Sequence, residues 1–301
     1  MKSRFKTLLL GLAAAACASL GWSPAVRAES PPGMKLYVFS SGWLDIDKSA
    51  LQTGASPGKF MIPVGFFVIH HPKGNVMFDT GNNDRVITDP TYWGPNAALL
   101  DKPESRSPDV STIKQLEKIG MKPSDINYVV VGHMHLDHAG NISRFPTATL
   151  VYQRDEIINA LWPKPGYAGA YVSGDLLPLR AEVGVPMPSR QKAIELNGDL
   201  DLFGDGSIYI KRQVGHTPGS EMMVVRLPKT GTVILTSDEC YLMENLQKNL
   251  LPSVGLAYDP SSMLQGYEWI KERMDAEHAD VIFAHDPEVF KAHKHAPEFY
   301  E

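Results

Sequence analysis

The amino-acid sequence predicts an α/β protein in which helices cover two β-sheets. Three observations lead to this class. Short apolar runs of strand length recur along the chain, helical spacing of apolar residues appears between some of them, and several of the runs end at a His or an Asp. With 301 residues, of which 43% are hydrophobic, the chain is long enough to bury the core of one or two domains.

Residues 1–28 are expected to be a secretory signal peptide that is removed. Three basic residues lie among the first six, residues 7–20 carry no charge, and a small-residue cleavage site ends at Ala28. The uncharged stretch is short and rich in Ala, which favours a signal peptide over a retained membrane helix. We therefore expect residues 29–301 to form a single domain that works in the periplasm or is secreted.

Cys17 offers a further alternative, lipidation, although the large aliphatic residue that usually lies three positions earlier is missing. Cleavage after Ala28 would leave Cys240 as the only cysteine, so no intrachain disulfide is expected. The net charge of −5 provides no basic surface for nucleic acid, which disfavours a nuclease. The expected partner is a small-molecule substrate. No stable membrane insertion is expected after removal of the signal peptide, and the sequence leaves open whether the protein forms a homodimer.

The first half of the chain should contain five strands and one helix. Residues 111–119 have apolar side chains at helical spacing, and Gly120 ends this helix. Apolar runs bounded by Pro and Gly predict strands at residues 34–40, 62–70, 76–78, 128–131 and 149–152.

The second half should contain four strands and one longer helix. Strands are predicted at residues 208–214, 222–227, 232–236 and 280–284, of which the second and third form a hairpin. A helix is predicted at residues 261–277. Residues 161–200 are rich in Gly, Pro and aromatic residues, and we interpret them as a long insertion over the site.

Residues 133–138, His-Met-His-Leu-Asp-His, place four metal-binding side chains within six positions. His133 and His135 are two residues apart and would point the same way in extended backbone. Asp137 and His138 follow on an expected turn into a helix, where adjacent side chains diverge. This geometry predicts two metal ions side by side, one for each pair.

This hexad resembles the metal-binding signature of the metallo-β-lactamase superfamily. The resemblance implies that the two sheets form that superfamily's αβ/βα four-layer sandwich. Further ligand candidates follow apolar strands, where a sheet can hold a side chain rigidly while it faces an open cleft. The expected metal ligands are His133, His135 and His216 for one ion, Asp137, His138 and His285 for the other, and Asp238 for both.

Each of the downstream ligands has a structural alternative. His216 could be a turn residue, Asp238 could be a helix N-cap, and three other histidines near the C-terminus compete with His285. Only His285 among these follows a buried strand. Asp79 also ends an apolar strand, and it matches a superfamily Asp that supports the metal ligands from a second shell. A turn-capping role is the alternative for Asp79.

Imidazole and carboxylate donors without thiolate suit zinc, although cobalt, manganese and iron stay open. Two ions roughly 3.5–4 Å apart would share a bridging water and lower its pKa towards neutral. The resulting hydroxide would attack a carbonyl carbon or a phosphorus atom while a metal ion polarises the oxygen that gathers charge. We therefore expect two divalent ions, most simply Zn²⁺, and no protein nucleophile.

Within the superfamily, the chain most resembles the N-acyl-homoserine lactone lactonases, the quorum-quenching branch. Matching motifs occur in the same order along most of the chain, and Tyr241, three residues after Asp238, is the most diagnostic. The motifs are Phe78-Asp79-Thr80-Gly81, residues 133–140, His216-Thr217-Pro218-Gly219, Asp238 with Tyr241, residues 255–260 and Ala284-His285-Asp286.

The resemblance implies a metal-dependent hydrolase that opens a lactone ring to N-acyl-homoserine. Tyr241 would hydrogen bond to the lactone carbonyl oxygen, with a core aromatic as its alternative role, and Asp238 would pass a proton to the leaving alkoxide. An exported organophosphate or ester hydrolase is the main rival. A β-lactamase typically has Cys or Ser in place of Asp238, glyoxalase II carries a C-terminal region that is not recognisable here, and a metal-storing protein would not need the full ligand set.

Overall fold

A computed structural model describes residues 30–179 and 191–301 of the chain. The predicted signal peptide, including Cys17 and Ala28, lies outside these residues, as does part of the 161–200 segment. Among the helices described, none combines the length and the apolar character that a bilayer crossing requires.

The first sheet has six strands that lie in chain order from one edge to the other. β1, β2 and β3 are antiparallel neighbours, whereas β3 to β6 run parallel, so the carboxyl ends of β3 and β4 meet at one edge. The strands are β1 (Lys35–Asp47), β2 (Lys59–His70), β3 (Asn75–Phe78), β4 (Ile126–Val130), β5 (Thr149–Gln153) and β6 (Ala193–Leu196).

The second sheet has five strands in the spatial order β11, β10, β9, β8, β7. β10 and β11 are parallel, and the remaining pairs are antiparallel. The strands are β7 (Leu200–Asp201), β8 (Ile208–Arg212), β9 (Glu221–Leu227), β10 (Gly231–Leu235) and β11 (Asp280–Ile282). β8, β10 and β11 therefore run in the same direction and end at the same edge.

Apolar residues on both faces of each sheet produce a four-layer arrangement. Phe67 and Val225 belong to the core that lies between the two sheets. Their neighbours Val68 and Val224 point the opposite way, Val68 into a core shared with α3 and α4 and Val224 into a core shared with α5 and α6. The helices are α1 (Lys48–Leu51), α2 (Pro103–Arg106), α3 (Thr112–Glu117), α4 (Arg154–Leu161), α5 (Met243–Lys248), α6 (Pro260–Glu277) and α7 (Pro287–Ala292).

The nine strands and two helices predicted from the sequence are all present, with shifted ends. The largest shift is in β1, which continues beyond an irregularity between Ser40 and Trp43. The expected helix after the hexad is wrong, because turns follow His138 and only the 3-10 turn Ile142–Arg144 comes next. The segment 161–200 is more than an insertion, since β6 and part of β7 lie within it and complete the two sheets.

Candidate metal centre

The ends of five strands converge at one edge of the sandwich. β3 leads into Asp79 and β4 into the hexad of residues 133–138, while β8, β10 and β11 lead towards His216, Asp238 and His285. The imidazoles and Asp238 are buried, and Asp137 is partly exposed. The structure therefore brings all seven predicted ligands together, and they form two groups of donor atoms.

The first donor group consists of His133, His135 and His216. Nε2 of His216 lies 3.1 Å from Nε2 of His133 and 2.9 Å from Nδ1 of His135. Ligand atoms placed tetrahedrally around one zinc ion at about 2.0–2.1 Å are roughly 3.3 Å apart. The spacing of these three nitrogens is close to what a single ion requires.

The second donor group consists of Asp137, His138 and His285. Nε2 of His138 lies 3.2 Å from Nε2 of His285. The Asp137 carboxylate lies 3.6 Å from Nε2 of His285 through Oδ2 and 3.8 Å from Nε2 of His138 through Oδ1. Two imidazoles and a carboxylate thus face a common point beside the first group.

Asp238 joins the two groups, because each of its oxygens faces a different one. Oδ2 lies 3.5 Å from Nε2 of His216 and 3.8 Å from Nε2 of His133. Oδ1 lies 3.0 Å from Nε2 of His138 and 2.9 Å from Nε2 of His285. Oδ1 is buried and, within the described part of the chain, has no hydrogen-bond partner of good geometry. A buried oxygen that faces imidazole nitrogens suits a cation shared by all of them.

Carbonyl oxygens behind the imidazoles fix which ring nitrogen faces the centre. Nδ1 of His216 donates to the Leu256 carbonyl at 2.8 Å, and Nδ1 of His285 donates to the Pro63 carbonyl at 2.8 Å. Each Nε2 therefore presents a lone pair to the cluster, as a metal-binding imidazole must. The donor set fits two divalent cations.

Asp79 lies directly behind the second donor group. Its Oδ2 accepts a hydrogen bond from Nδ1 of His138 at 2.9 Å, and its Oδ1 accepts one from the Gly132 backbone at 2.7 Å. Ser237 donates to Oδ2 as well, at 3.1 Å. Asp79 is fully buried and has a positive φ of 60°, a conformation that few residues other than glycine adopt. Its carboxylate thus orients His138 and also ties β3 to the strand end that carries the hexad.

The two donor groups differ in their electrostatic surroundings. Burial and the neighbouring imidazoles of His138 and His135 hold the pKa of His133 well below its usual range. Burial also disfavours the charged form of His138, but the carboxylates of Asp238 and Asp79 outweigh it and raise the pKa of His138 well above that range. The second group therefore carries an excess of negative charge that a bound cation would neutralise.

Tyr241 lies between the two donor groups. Its hydroxyl is 3.1 Å from Nδ1 of His216, and its ring stacks on His285 with a centroid distance of 5.8 Å. Burial and the nearby Asp238 carboxylate raise the pKa of Tyr241 well above its usual range, so the phenol keeps its proton. The ring also packs in the apolar cluster that contains Leu136, so the two roles considered for Tyr241 are compatible.

The structural alternatives for the ligands receive little support. Asp238 caps no helix, because α5 begins at Met243 with Leu242 as its N-cap. His293 bonds to Asp280, and His295 bonds to the Phe290 carbonyl, so neither joins the donor groups. A Gly-x-Ser-x-Gly pattern, which marks the nucleophilic serine of many hydrolases, occurs at residues 54–58. Here it lies in the loop before β2 and its serine is exposed, so it does not indicate a protein nucleophile at this site.

Sequence reasoning missed two buried carboxylates, Glu156 and Asp175. The Glu156 carboxylate accepts a hydrogen bond from the Met134 backbone, inside the hexad, at 2.8 Å. This residue follows β5, so the rule that polar side chains at strand ends belong to the site could have found it. Asp175 bonds to Asn83 and Tyr92 in the loops above the site, and no pattern in the sequence marks it.

The aromatic residues of the 3-10 segment Pro90–Leu100 and of residues 162–171 have different surroundings. The ring of Tyr171 lies edge-on to His135 with a centroid distance of 4.7 Å. Trp93 is buried, whereas 75% of Trp162 is exposed. Of these aromatic residues, Tyr171 is therefore the one in contact with a predicted metal ligand.

Comparisons with known proteins agree with this geometry. The family model described as metallo-beta-lactamase superfamily matches residues 64–285. The chain is 34% identical to the N-acyl homoserine lactonase AttM of Azorhizobium caulinodans, over 89% of this chain and 99% of that protein.

Two solved structures of lactonases share the fold. An N-acyl homoserine lactone hydrolase with N-hexanoyl-L-homoserine bound at its catalytic metal centre has a TM-score of 0.73 and 22% identity, and the match covers 88% of this chain and 98% of that one. The dizinc quorum-quenching lactonase AidC has a TM-score of 0.61 and 14% identity, covering 85% of this chain and 88% of that one. The chain belongs to the metallo-β-lactamase superfamily and, within it, to the N-acyl homoserine lactonases.

Proposed function

We propose that this chain is a di-metal lactonase that opens the ring of N-acyl homoserine lactones and thereby quenches quorum signals. One observation carries the proposal: the Asp238 carboxylate lies between two groups of inward-facing donors and presents one oxygen to each. In the reaction, water adds to the lactone carbonyl carbon, the ring carbon–oxygen bond breaks, and the ring oxygen takes up a proton.

Relatives support this substrate. The AttM protein that is 34% identical to the chain is named an N-acyl homoserine lactonase. The structure with the TM-score of 0.73 holds the ring-opened product at its metal centre. Membership of this family and the complete donor set make the chain a metal-dependent hydrolase.

The residues of the chain divide the work of the reaction. When bound, two divalent ions supply an activated water and polarise the carbonyl oxygen. The first donor group and Asp137, His138 and His285 hold these ions, and Asp79 keeps the His138 ring in place. The Tyr241 hydroxyl donates a hydrogen bond to the carbonyl oxygen as negative charge develops there. Asp238 carries a proton from the attacking water to the leaving oxygen.

We propose that both ions are zinc. Five imidazoles and two carboxylates, without thiolate, form a donor set that zinc accepts, and the similar protein AidC is described as dizinc. Metal analysis by mass spectrometry of protein purified without chelator should find about two zinc ions per chain. Cobalt, manganese or iron at that stoichiometry would replace zinc in the proposal, and an absence of metal would overturn it.

We also propose that the protein is exported and acts on small molecules in the periplasm or outside the cell. The N-terminal sequence supports this, because three basic residues precede the uncharged stretch 7–20 and a small-residue cleavage site ends at Ala28. Cell fractionation and the mass of the mature N-terminus test this. A mature chain that begins at Glu29 is expected. An uncleaved N-terminus would contradict export, whereas a lipid-bearing Cys17 would contradict cleavage after Ala28 but not export.

A substrate panel tests the activity. Homoserine lactones of increasing acyl length, paraoxon and a chromogenic cephalosporin should be assayed with and without added zinc, with acid release as the lactone readout. The lactones should be the best substrates, and chelation should abolish their hydrolysis until zinc is restored. Faster turnover of paraoxon would favour the organophosphate hydrolase instead, and faster cephalosporin turnover would favour a β-lactamase.

A further inference from the structure

Glu156 is a buried carboxylate in the first turn of α4, outside the set of ligands. Its Oε1 accepts hydrogen bonds from the Met134 backbone at 2.8 Å and from the Tyr171 hydroxyl at 3.2 Å. Its Oε2 accepts one from the Thr217 hydroxyl at 2.6 Å.

These donors come from the segments that carry the first donor group. Met134 lies between His133 and His135, and Thr217 follows His216 directly. Tyr171 places its ring against His135. None of the donors lies next to Asp137, His138 or His285 in the sequence. Glu156 therefore contacts residues that adjoin ligands of the first donor group and not those of the second.

The loop that carries His216 packs against the backbone of α4. A Cβ added to Gly219 would lie 2.3 Å from the Glu156 backbone nitrogen and 2.5 Å from its Cβ. The glycine that ends the Gly-His-Thr-Pro-Gly motif is therefore needed for the close approach that lets Glu156 reach Thr217.

Glu156 is held only by neutral donors, with no ion pair among the residues that the structure describes. Burial of a carboxylate without a charged partner is unfavourable for folding unless hydrogen bonds compensate for the lost water. An ionised carboxylate has two acceptor oxygens and no donor, so Glu156 can accept the bonds from Met134 and Tyr171 on one oxygen and the bond from Thr217 on the other. The chemistry of Glu156 therefore matches the number of donors that converge on it.

We propose that Glu156 is a positioning residue that sets the spacing of His133, His135 and His216 and so tunes the affinity of the first donor group for its ion. Its carboxylate fixes the backbone between two of the imidazoles, the loop of the third, and the tyrosine that packs against His135. The inference rests on the metal centre of the proposed function, but it does not depend on which substrate is hydrolysed.

The test compares Glu156→Gln with Glu221→Gln. The amide that replaces the Glu156 carboxylate has one acceptor oxygen instead of two, so the Thr217 hydroxyl loses its acceptor. Glu221 is a matched control, because it is equally buried and its carboxylate accepts a hydrogen bond from Gln153 rather than from the ligand loops. His135→Ala identifies which ion belongs to the first donor group.

Release of both ions to a chromogenic chelator is measured for folded, zinc-loaded protein. In Glu156→Gln, the ion of the first donor group should leave about 10–100-fold faster, as expected when a partner behind a metal ligand is lost, while the other ion keeps its wild-type rate. Glu221→Gln should leave both rates unchanged. Tyr171→Phe removes only one of the hydrogen-bond donors to Glu156. Release of the ion from the first donor group should therefore accelerate less in this variant than in Glu156→Gln.

Three results would overturn the inference. These are equal acceleration of both ions in Glu156→Gln, the same change in Glu221→Gln, and unchanged release in a folded Glu156→Gln protein. Because the assay contains no lactone, a protein that fails to hydrolyse lactones but shows the selective release would refute the proposed substrate and keep this role for Glu156.

Discussion

The floor of the site and the segment that crosses above it are held by different kinds of contact. The floor is made of strand-end residues, in which carboxylates face imidazoles at distances of about 3 Å, such as Asp238 and His285 at 2.9 Å. The crossing segment, residues 164–175, touches the floor through Tyr171 and through a backbone hydrogen bond from Leu136, and its two ends are attached to surrounding loops. Lys164 lies over the Tyr258 ring, and Asp175 bonds to Asn83 and Tyr92.

The buried carboxylates of Asp238 and Asp175 differ in the charge of their partners, and this difference decides how each of them behaves. Burial disfavours ionisation of Asp238, but His138 and His285 outweigh it and hold the pKa of Asp238 well below its usual range. Asp175 has only the neutral donors Asn83 and Tyr92, so burial prevails and raises its pKa to about 7. We infer that the floor provides the charge for metal binding and chemistry, whereas Lys164 and Asp175, at the two ends of the crossing segment, provide shape and a dependence of stability on pH.

The largest effect is expected when the shared ligand of the floor is changed. Asp238→Asn keeps the size of the side chain but removes its negative charge and one oxygen, so it weakens metal binding and removes the proton carrier. We expect kcat/KM for a homoserine lactone to fall by on the order of 10³-fold or more. Steady-state kinetics and metal analysis of the same samples measure both losses. If the variant kept near-native activity and two bound ions, Asp238 would not be a ligand that the two ions share.

Asp175→Asn should change how stability depends on pH. In the wild type, the unfolded chain ionises Asp175 near pH 3.8, while the folded protein keeps the proton up to about pH 7. Unfolding in this range releases a proton, so the contribution of Asp175 to stability falls as the pH rises from about 4 to 7 and is constant outside it. Three pKa units correspond to at most about 4 kcal/mol.

The Asn variant has no such group, so its stability relative to the wild type should increase between pH 5 and pH 8. The new amide nitrogen replaces Oδ2, which has no partner in the described structure, and this adds a loss of stability that does not vary with pH. Urea unfolding of both proteins at each pH gives the difference. A difference that stays constant with pH would show that Asp175 is ionised in the folded protein throughout.

The sequence predicts the floor well because the floor follows a simple physical rule. A buried strand is visible as an apolar run, and a His or Asp directly after it is placed at the sheet edge with little freedom, as at Val130 before the hexad or Ile282 before His285. The order of strands in space is not visible in such runs. The expectation that all these strand ends meet at one edge of the sandwich came from the family resemblance.

The crossing segment was not predictable in the same way. Its contacts join residues far apart in the chain, such as Asp175 with Asn83 and Lys164 with Tyr258, and no local periodicity encodes them. The short strands β6 and β7 were missed because they have only four and two residues, and three of the four residues of β6 are exposed, so neither run is long enough to show a strand pattern. Their position depends on pairing with β5 and β8, a tertiary effect that outweighs local preference.

A single hydrogen bond of the floor is tested by Tyr241→Phe. The ring keeps its packing on His285, and only the hydroxyl beside His216 is lost. We expect the transition state to be destabilised by about 1–3 kcal/mol, measured as a fall in kcat/KM, because one donor to developing charge disappears. Metal content should not change. Wild-type kinetics would assign Tyr241 to packing alone.

The smallest effect is expected from Lys164→Met in the crossing segment. The Lys164 ammonium lies 4.3 Å from the centroid of the Tyr258 ring and contacts its hydroxyl, but it is exposed to solvent. An exposed cation–π contact contributes about 0.5–1 kcal/mol, and salt screens it further. KM should therefore change by at most about fivefold, with kcat unchanged and the effect fading as salt is added.

Lys291→Met is the control, because Lys291 is an exposed lysine paired with Glu288 on α7, and it should change neither constant. A large fall in kcat for Lys164→Met would mean that the crossing segment takes part in the chemistry, and the division between the two regions would then be wrong.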